Sequence, residues 1–338
     1  MKGRLIVLDR LDGRLAAALV EDGRLEDLLI AAPDDVPVPG AIYRAVADRP
    51  LKGQGGAILK LPEGRAYLKN AKVLAPGTPL LVQVTGYATE GKAVPVTTGV
   101  LFKSRYAIAT PGKPGINVSR RVRDDARRDE LQLLAREVMD GLDMGLILRS
   151  AAEHASDEAL AEDILAMTDL AAKVMGDEGR DPELLADGPD PHTLAWREWP
   201  EPDTIATKDG GFAEHGIDAM ISALRRPEVP LPAGGSMFVE PTRALVAVDV
   251  NTGADTSLAA GLKANIAAAR ALPAQLRCRG LGGQIVLDLA PMPKKDRRGF
   301  EQVLRAALKA DAVETTLAGW TPLGLYELQR KRDRLPLL

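Results

Sequence analysis

Cysteine is all but absent. Cys278 stands alone, which excludes an internal disulfide and any cysteine-rich zinc site. Aromatic residues make up only 4% of the chain, so a surface that stacks bases must rest on very few side chains. No apolar run is long enough to span a bilayer, and the opening Met-Lys-Gly-Arg-Leu lacks the apolar core of a signal peptide. His154, His192 and His215 show no metal-ligand spacing. A P-loop, a Gly-x-Gly-x-x-Gly dinucleotide signature and a nucleophile elbow are also missing. These absences fit a cytoplasmic protein with no membrane span.

The 338 residues are 46% hydrophobic, enough for two or three domains with real cores. A net charge of −3 conceals segregation: residues 101–128 hold eight basic and two acidic side chains, residues 153–203 fifteen acidic and three basic. A basic block of that kind is either a phosphate-binding surface or a solvated face.

Residues 1–36 alternate strand-like runs with Asp12-Gly13 and Asp22-Gly23, which predicts three antiparallel strands. Residues 37–102 carry five short strands (41–46, 56–61, 66–68, 79–85 and 94–98), the rhythm of a small barrel such as the OB fold. Such a barrel binds a single strand with aromatic side chains and a basic groove, for which Tyr67 and Lys92 are the candidates. A solitary tyrosine is more often a core or surface residue than a base platform. Beyond the basic block, the spacing predicts helices over 125–142 and 151–175. A strand between them ends at Arg149 and Ser150, a fork and a hydroxyl that suit a phosphate or a carboxylate, although such an arginine is more often part of a surface ion pair. Residues 176–209, rich in Gly, Pro, Asp and Glu, read as a loosely ordered connection or the remnant of a trimmed subdomain.

The stretch 244–290 contains two apolar runs, Ala-Leu-Val-Ala-Val-Asp249-Val-Asn251 and Gly-Gly-Gln-Ile-Val-Leu-Asp288, separated by an alanine-rich helical segment. That is a βαβ unit, so the strands are expected to be parallel neighbours with Asp249 and Asp288 side by side at their carboxyl edge. Aspartate is common at strand ends, but two carboxylates so placed repel unless a cation lies between them, and hard oxygen ligands favour Mg²⁺ or Mn²⁺. Pro273 is expected to kink or end the crossover helix, and residues 323–333 to form a basic helix.

At Leu245–Thr252 and Leu281–Asp288 the chain resembles the ribonuclease E/G family of endoribonucleases, with its "ALxxIDxN" strand, "LRxLGG" turn and "IVIDF" strand. Residues 144–150 are similar to the family's "GMGLIVRT" and residues 115–121 to its "GGISRR". The resemblance implies an α+β multidomain fold. Its parts are N-terminal strands of a reduced ribonuclease H-like portion (1–36), an OB-fold RNA-binding barrel (37–102) and a 5′-sensor region (103–175). A shortened connecting region (176–229) and a deoxyribonuclease I-like catalytic subdomain (230–338) follow. It implies a Mg²⁺-dependent endoribonuclease on single-stranded RNA, in ribosomal RNA processing or messenger decay, with preference for 5′-monophosphate ends. Asp249 and Asp288 would hold the metal, with Asn251 orienting the phosphate or a water. Arg120, Arg149 and Ser150 would receive the 5′-phosphate, and Tyr67, Lys92 and Arg121 would contact RNA. Ile58 stands where the family has a second aromatic. With one cysteine, an oligomer through the family's interchain zinc link is not expected, nor any structural zinc. An RNA-binding protein with weak catalysis, or a different metal-dependent phosphoesterase, are the rival readings.

Overall fold

In the computed structural model, which describes residues 2–51, 55–71, 74–89, 91–255 and 257–337, two compact units divide the chain: residues 1–32 with 201–338, and residues 33–200. The first unit opens with the expected antiparallel strands β1 (Arg4–Leu11), β2 (Arg14–Glu21) and β3 (Arg24–Ile30). Both turns place an aspartate and a glycine in the left-handed region (φ 51° and 80°, then 47° and 78°), the backbone of a tight hairpin turn.

The second unit begins with β4 (Ile42–Leu51), β5 (Gly56–Leu61), β6 (Gly64–Lys69), β7 (Pro79–Val84) and β8 (Val94–Thr97). They pair in the order β4–β5–β6–β8–β7, and β7 returns to β4, closing a five-stranded, OB-like barrel. Its interior is filled by small and branched side chains, Ala45, Leu59, Ala66 and Val82 among them, which lets so short a sheet curl tightly. Next come β9 (Phe102–Lys103), β10 (Ala107–Thr110), β11 (Ile116–Val118), α1 (Asp125–Val138) and β12 (Gly145–Leu148), whose strands form a sheet in the order β11–β12–β10–β9. The single helix expected over 151–175 is a 3₁₀ turn (Ser150–His154) followed by α2 (Asp157–Met175). Ser156 is the cause of the break: its hydroxyl accepts from Ala159 N and starts a new helix.

Residues 176–209 are not loosely ordered. They contain β13 (Glu183–Ala186), which pairs with β4, then α3 (Pro191–Glu198) and β14 (Thr204–Ala206), which extends the N-terminal sheet beside β1. Charge does the ordering here. The buried Arg44 donates to Asp177 (2.6 Å), to the Asp181 carbonyl (2.6 Å) and to Glu183. Asp190 caps α3 through the amides of His192 and Thr193.

The first unit resumes with α4 (Gly211–Glu214), α5 (Ile217–Leu224), β15 (Glu228–Pro230), β16 (Ser236–Pro241), β17 (Val246–Asn251), α6 (Leu258–Cys278), β18 (Gly283–Asp288), α7 (Arg297–Ala310), β19 (Thr315–Trp320) and β20 (Tyr326–Arg330). Six strands form one sheet in the order β15–β16–β17–β18–β20–β19, in which only β17 and β18 run parallel. Leu272 and Leu276 of α6 and Phe300, Leu304 and Leu308 of α7 join the sheet's apolar side in one core.

Two expectations meet a different outcome in this unit: the crossover helix does not end at Pro273, and residues 323–333 are not helical. α6 runs through Pro273, although an interior proline costs about 3 kcal/mol, because Leu272 and Leu276 are buried on either side of it. What stops the helix is Gly280, at φ +64°: its amide donates to Arg277 O and that of Leu281 to Leu276 O, a Schellman closure. A Cβ at 280 would lie 1.8 Å from Leu335 O, so only glycine fits. Residues 323–333 form no helix but contain β20, where Tyr326, Leu328 and Arg330 alternate inward with period two. Among the described residues, no helix is long and apolar enough to cross a membrane.

Candidate active site

β17 and β18 pair with Val246 opposite Ile285, Val248 opposite Leu287 and Asp249 directly opposite Asp288. Side chains alternate across a strand, so Val246, Val248, Val250, Ile285 and Leu287 enter the core while Asp249, Asn251 and Asp288 emerge together on the exposed face. They stand at the carboxyl ends of the parallel pair, where open α/β sheets bind ligands. Asn251 Nδ2 donates to Asp249 Oδ2 at 2.7 Å. Among the described residues this is the one side-chain hydrogen bond or ion pair either aspartate makes, so neighbouring carboxylates face solvent without a basic counter-ion. That donor set fits a hard divalent cation. Among the described residues no group of three or more His, Cys, Asp or Glu converges.

Sequence reasoning missed what holds this edge in place. Asn265 of α6 is fully buried; its Nδ2 donates to Ala290 O (2.9 Å) and its Oδ1 accepts from Ala290 N (3.0 Å), clamping the backbone two residues beyond Asp288. At Gly261, one turn earlier, a Cβ would come within 2.1 Å of Pro291 O, so the loop seats directly on the helix. The only sequence signal was a polar residue inside an alanine-rich helix. Asn265→Ala is expected to strand both Ala290 groups in the core, at roughly 2–3 kcal/mol. Thermal melting reads that loss, and an unchanged transition would remove Asn265 from this role.

In the barrel, Tyr67 lies directly opposite Ile58 on β5 and Pro95 on β8, on the outer face between the buried Ala66 and Leu68. Its ring lies over Gly56, where a Cβ would meet it at 2.5 Å. Exposed Arg65 and Lys69 flank it on the same strand face, and Arg49 pairs opposite Ile58. The tyrosine is therefore not a core residue but part of a basic outer row. Lys92 is exposed in the β7–β8 loop.

β11 and β12 run parallel with Val118 opposite Leu148, and Ser119 N donates to Leu148 O at 2.8 Å. The segments carrying Arg120, Arg121, Arg149 and Ser150 therefore leave the sheet at one edge. Arg120 and Arg121 are exposed. Arg149 is engaged: its Nη1 donates to the carbonyls of Ser104 (2.6 Å), Arg197 (3.0 Å) and Arg105 (3.3 Å), and its Nη2 to Glu198 Oε2 at 2.6 Å. Glu198 was not foreseen, since nothing in a run of acidic residues distinguishes one glutamate from the next.

The chain is similar to known proteins over most of its length. The chain is 29% identical to Ribonuclease E of Nostoc sp. across 94% of its own length, and spans 54%, about half, of that protein. It is 27% identical to Ribonuclease G of Salmonella typhimurium and of Escherichia coli, again over 94% of this chain and over 77% of each relative. Residues 102–206 and 202–333, which contain the paired aspartates and the Arg149 edge, match the Ribonuclease E/G family, and it is to this family that the chain belongs.

Proposed function

We propose that the chain is a Mg²⁺-dependent endoribonuclease that hydrolyses single-stranded RNA and favours 5′-monophosphate ends, with Mn²⁺ as a workable substitute. The observation that carries the reading is the register that sets Asp249 beside Asp288 on an exposed face, with Asn251 bonded to the first. A bound divalent ion would polarise the scissile phosphate and lower the pKa of the attacking water. Asp249 and Asp288 supply the anionic oxygens that hold it. Asn251 fixes the Asp249 carboxylate with one N–H and has a second to offer a phosphate oxygen. Attack by water rather than by the ribose 2′-hydroxyl leaves 5′-phosphate and 3′-hydroxyl products.

The basic outer row around Tyr67, with Lys92, supports reading the barrel as the grip on single-stranded RNA, mainly through its backbone. Lys294, Lys295 and Arg298, just beyond β18, suit phosphates entering the Asp249–Asp288 edge. Arg120, Arg121, Arg149 and Ser150 are read as the receptor for a terminal phosphate. The antiparallel β1–β3 sheet with β14 added in parallel supports a reduced ribonuclease H-like portion, and the α6/α7-covered sheet a deoxyribonuclease I-like one.

The test is cleavage of a short unstructured RNA, 5′-monophosphorylated or 5′-hydroxyl, in Mg²⁺ or in EDTA, with the product ends determined. Internal cuts that need the metal and leave 5′-phosphates are expected. RNA bound but uncut under every divalent ion would overturn the enzyme reading in favour of a binding protein. Hydrolysis of mononucleotides without RNA cleavage would favour a small-molecule phosphoesterase.

A further inference from the structure

The anion that Arg149 holds in this structure belongs to the chain itself. Glu198, the last residue of α3, accepts from Arg149 Nη2 at 2.6 Å through Oε2, and from Lys103 Nζ and Arg197 Nε at 2.7 Å each through Oε1. The Arg149 and Arg197 side chains are only 19% and 17% exposed, so these are charge-assisted bonds in a partly desolvated pocket. Burial alone would push the Glu198 carboxyl up, yet Lys103, Arg149 and Arg197 hold it below the ordinary range. Lys103 moves the other way: burial lowers it, Glu198 opposes that, and the two arginines push it further down. Three cations around one carboxylate leave two positive charges uncompensated, so the pocket still favours a more highly charged anion.

A carboxylate and a terminal phosphate offer the same donors the same thing, anionic oxygens at about 2.7–2.9 Å from N–H. The phosphate brings nearly twice the charge, −1.5 to −2 at neutral pH. We propose that Glu198 is the built-in occupant of this pocket, a tethered carboxylate that a terminal phosphate displaces, so that Glu198 sets how strongly the chain responds to the 5′ end of its RNA. The proposal rests on the reading of Arg149 as part of a 5′-phosphate receptor. A tethered competitor lowers the apparent affinity of the incoming group by the fraction of time the pocket is filled.

The experiment has two arms, both on the full chain in EDTA so that no turnover is needed. In the first, the melting temperatures of wild type, Glu198→Gln and Glu198→Ala are compared in inorganic phosphate and in sodium chloride of equal ionic strength. A ligand that binds only the folded state raises the transition. Phosphate is expected to raise the melting temperature of both variants by several degrees over chloride, and that of wild type by about one degree or less. Glu198→Gln keeps the packing should the alanine variant fail to fold. Equal phosphate and chloride responses in the variants and wild type would overturn the proposal and leave Glu198 as a structural clasp.

The second arm measures binding of a 3′-labelled RNA with a 5′-phosphate or a 5′-hydroxyl. The ratio of the two affinities is expected to rise about tenfold in the variants, about one charge-assisted bond's worth of discrimination. A wild type that already prefers the phosphate, with variants no different, would also overturn the occupant while leaving the receptor reading intact. Variants stabilised by phosphate but blind to the RNA end would show that Glu198 screens a phosphate site that does not read the RNA terminus, which defeats the receptor reading and, with it, the response assigned to Glu198.

Discussion

Asp249→Asn and Asp288→Asn are each expected to lower Mg²⁺-dependent RNA cleavage by about a thousandfold or more, roughly 4 kcal/mol of transition-state stabilisation, with melting behaviour close to wild type. The two halves of that expectation have separate physical grounds. Both side chains stand on the exposed face of the sheet, and among the described residues only Asp249 has a side-chain hydrogen bond to lose, the one from Asn251. Substitution by the isosteric amide therefore disturbs little of the fold. On the proposed reading each substitution removes one of the two carboxylates that would hold the ion, however, and an amide oxygen is a weak substitute where charge holds a hard cation. Asn251→Ala should cost less, about 10–100-fold, because it orients a ligand rather than being one. Single-turnover cleavage across a Mg²⁺ series, paired with thermal melting, separates weakened metal binding from unfolding. Folded variants that keep cleavage within tenfold of wild type would dissociate the aspartate pair from the chemistry.

The aspartate pair was legible because everything that determines it is local. Two apolar runs of similar length, each with its aspartate near the end, are joined by a segment long enough to cross over, and that forces a parallel register with the carboxylates adjacent. The barrel was legible for the same reason: its apolar runs are separated by turn residues, and the strands observed at 56–61 and 79–84 fall within a residue of those expected. Where residues far apart in the chain decide the outcome, the sequence was opaque. β20 read as a basic helix because an inward arginine breaks the pattern of apolar alternation, and Arg330 points inward only because Asp311 is there to receive it. Residues 176–209 read as loose because Arg44, which orders the Asp177–Glu183 turn, lies more than 130 residues upstream. Glu198 drew no notice since its meaning comes from Lys103 and Arg149, on different strands and turns.

Asp311→Asn is expected to destabilise the unit formed by residues 1–32 and 201–338 by about 3–5 kcal/mol, roughly ten degrees in melting temperature. Its carboxylate is wholly inaccessible and bridges two arginines: Oδ1 accepts from Arg277 Nη1 and Oδ2 from Arg330 Nη1, each at 2.5 Å. Burial pulls the Arg330 guanidinium below its usual range, against the pull of Asp311. Among the described residues its buried Nη2 has no hydrogen-bond partner, so little else compensates the charge. Arg277 in turn donates to the Glu26 carbonyl (2.8 Å), and Arg334 grips Asp27, tying β3 to the end of α6 and to the segment after β20. Neutralising Asp311 leaves Arg330 buried without its carboxylate, while Arg277 keeps Glu26 and Asp27 at 3.7 and 3.8 Å, and an uncompensated buried charge makes breaking a pair cost far more than the pair itself contributes. The same reasoning gives the decisive control. Arg330→Met combined with Asp311→Asn removes the uncompensated charge, and the double variant should lose clearly less than the sum of its single changes. Strict additivity, or a loss below about 1 kcal/mol for Asp311→Asn, would show that this network is not what holds the first thirty residues to the C-terminal part of the unit.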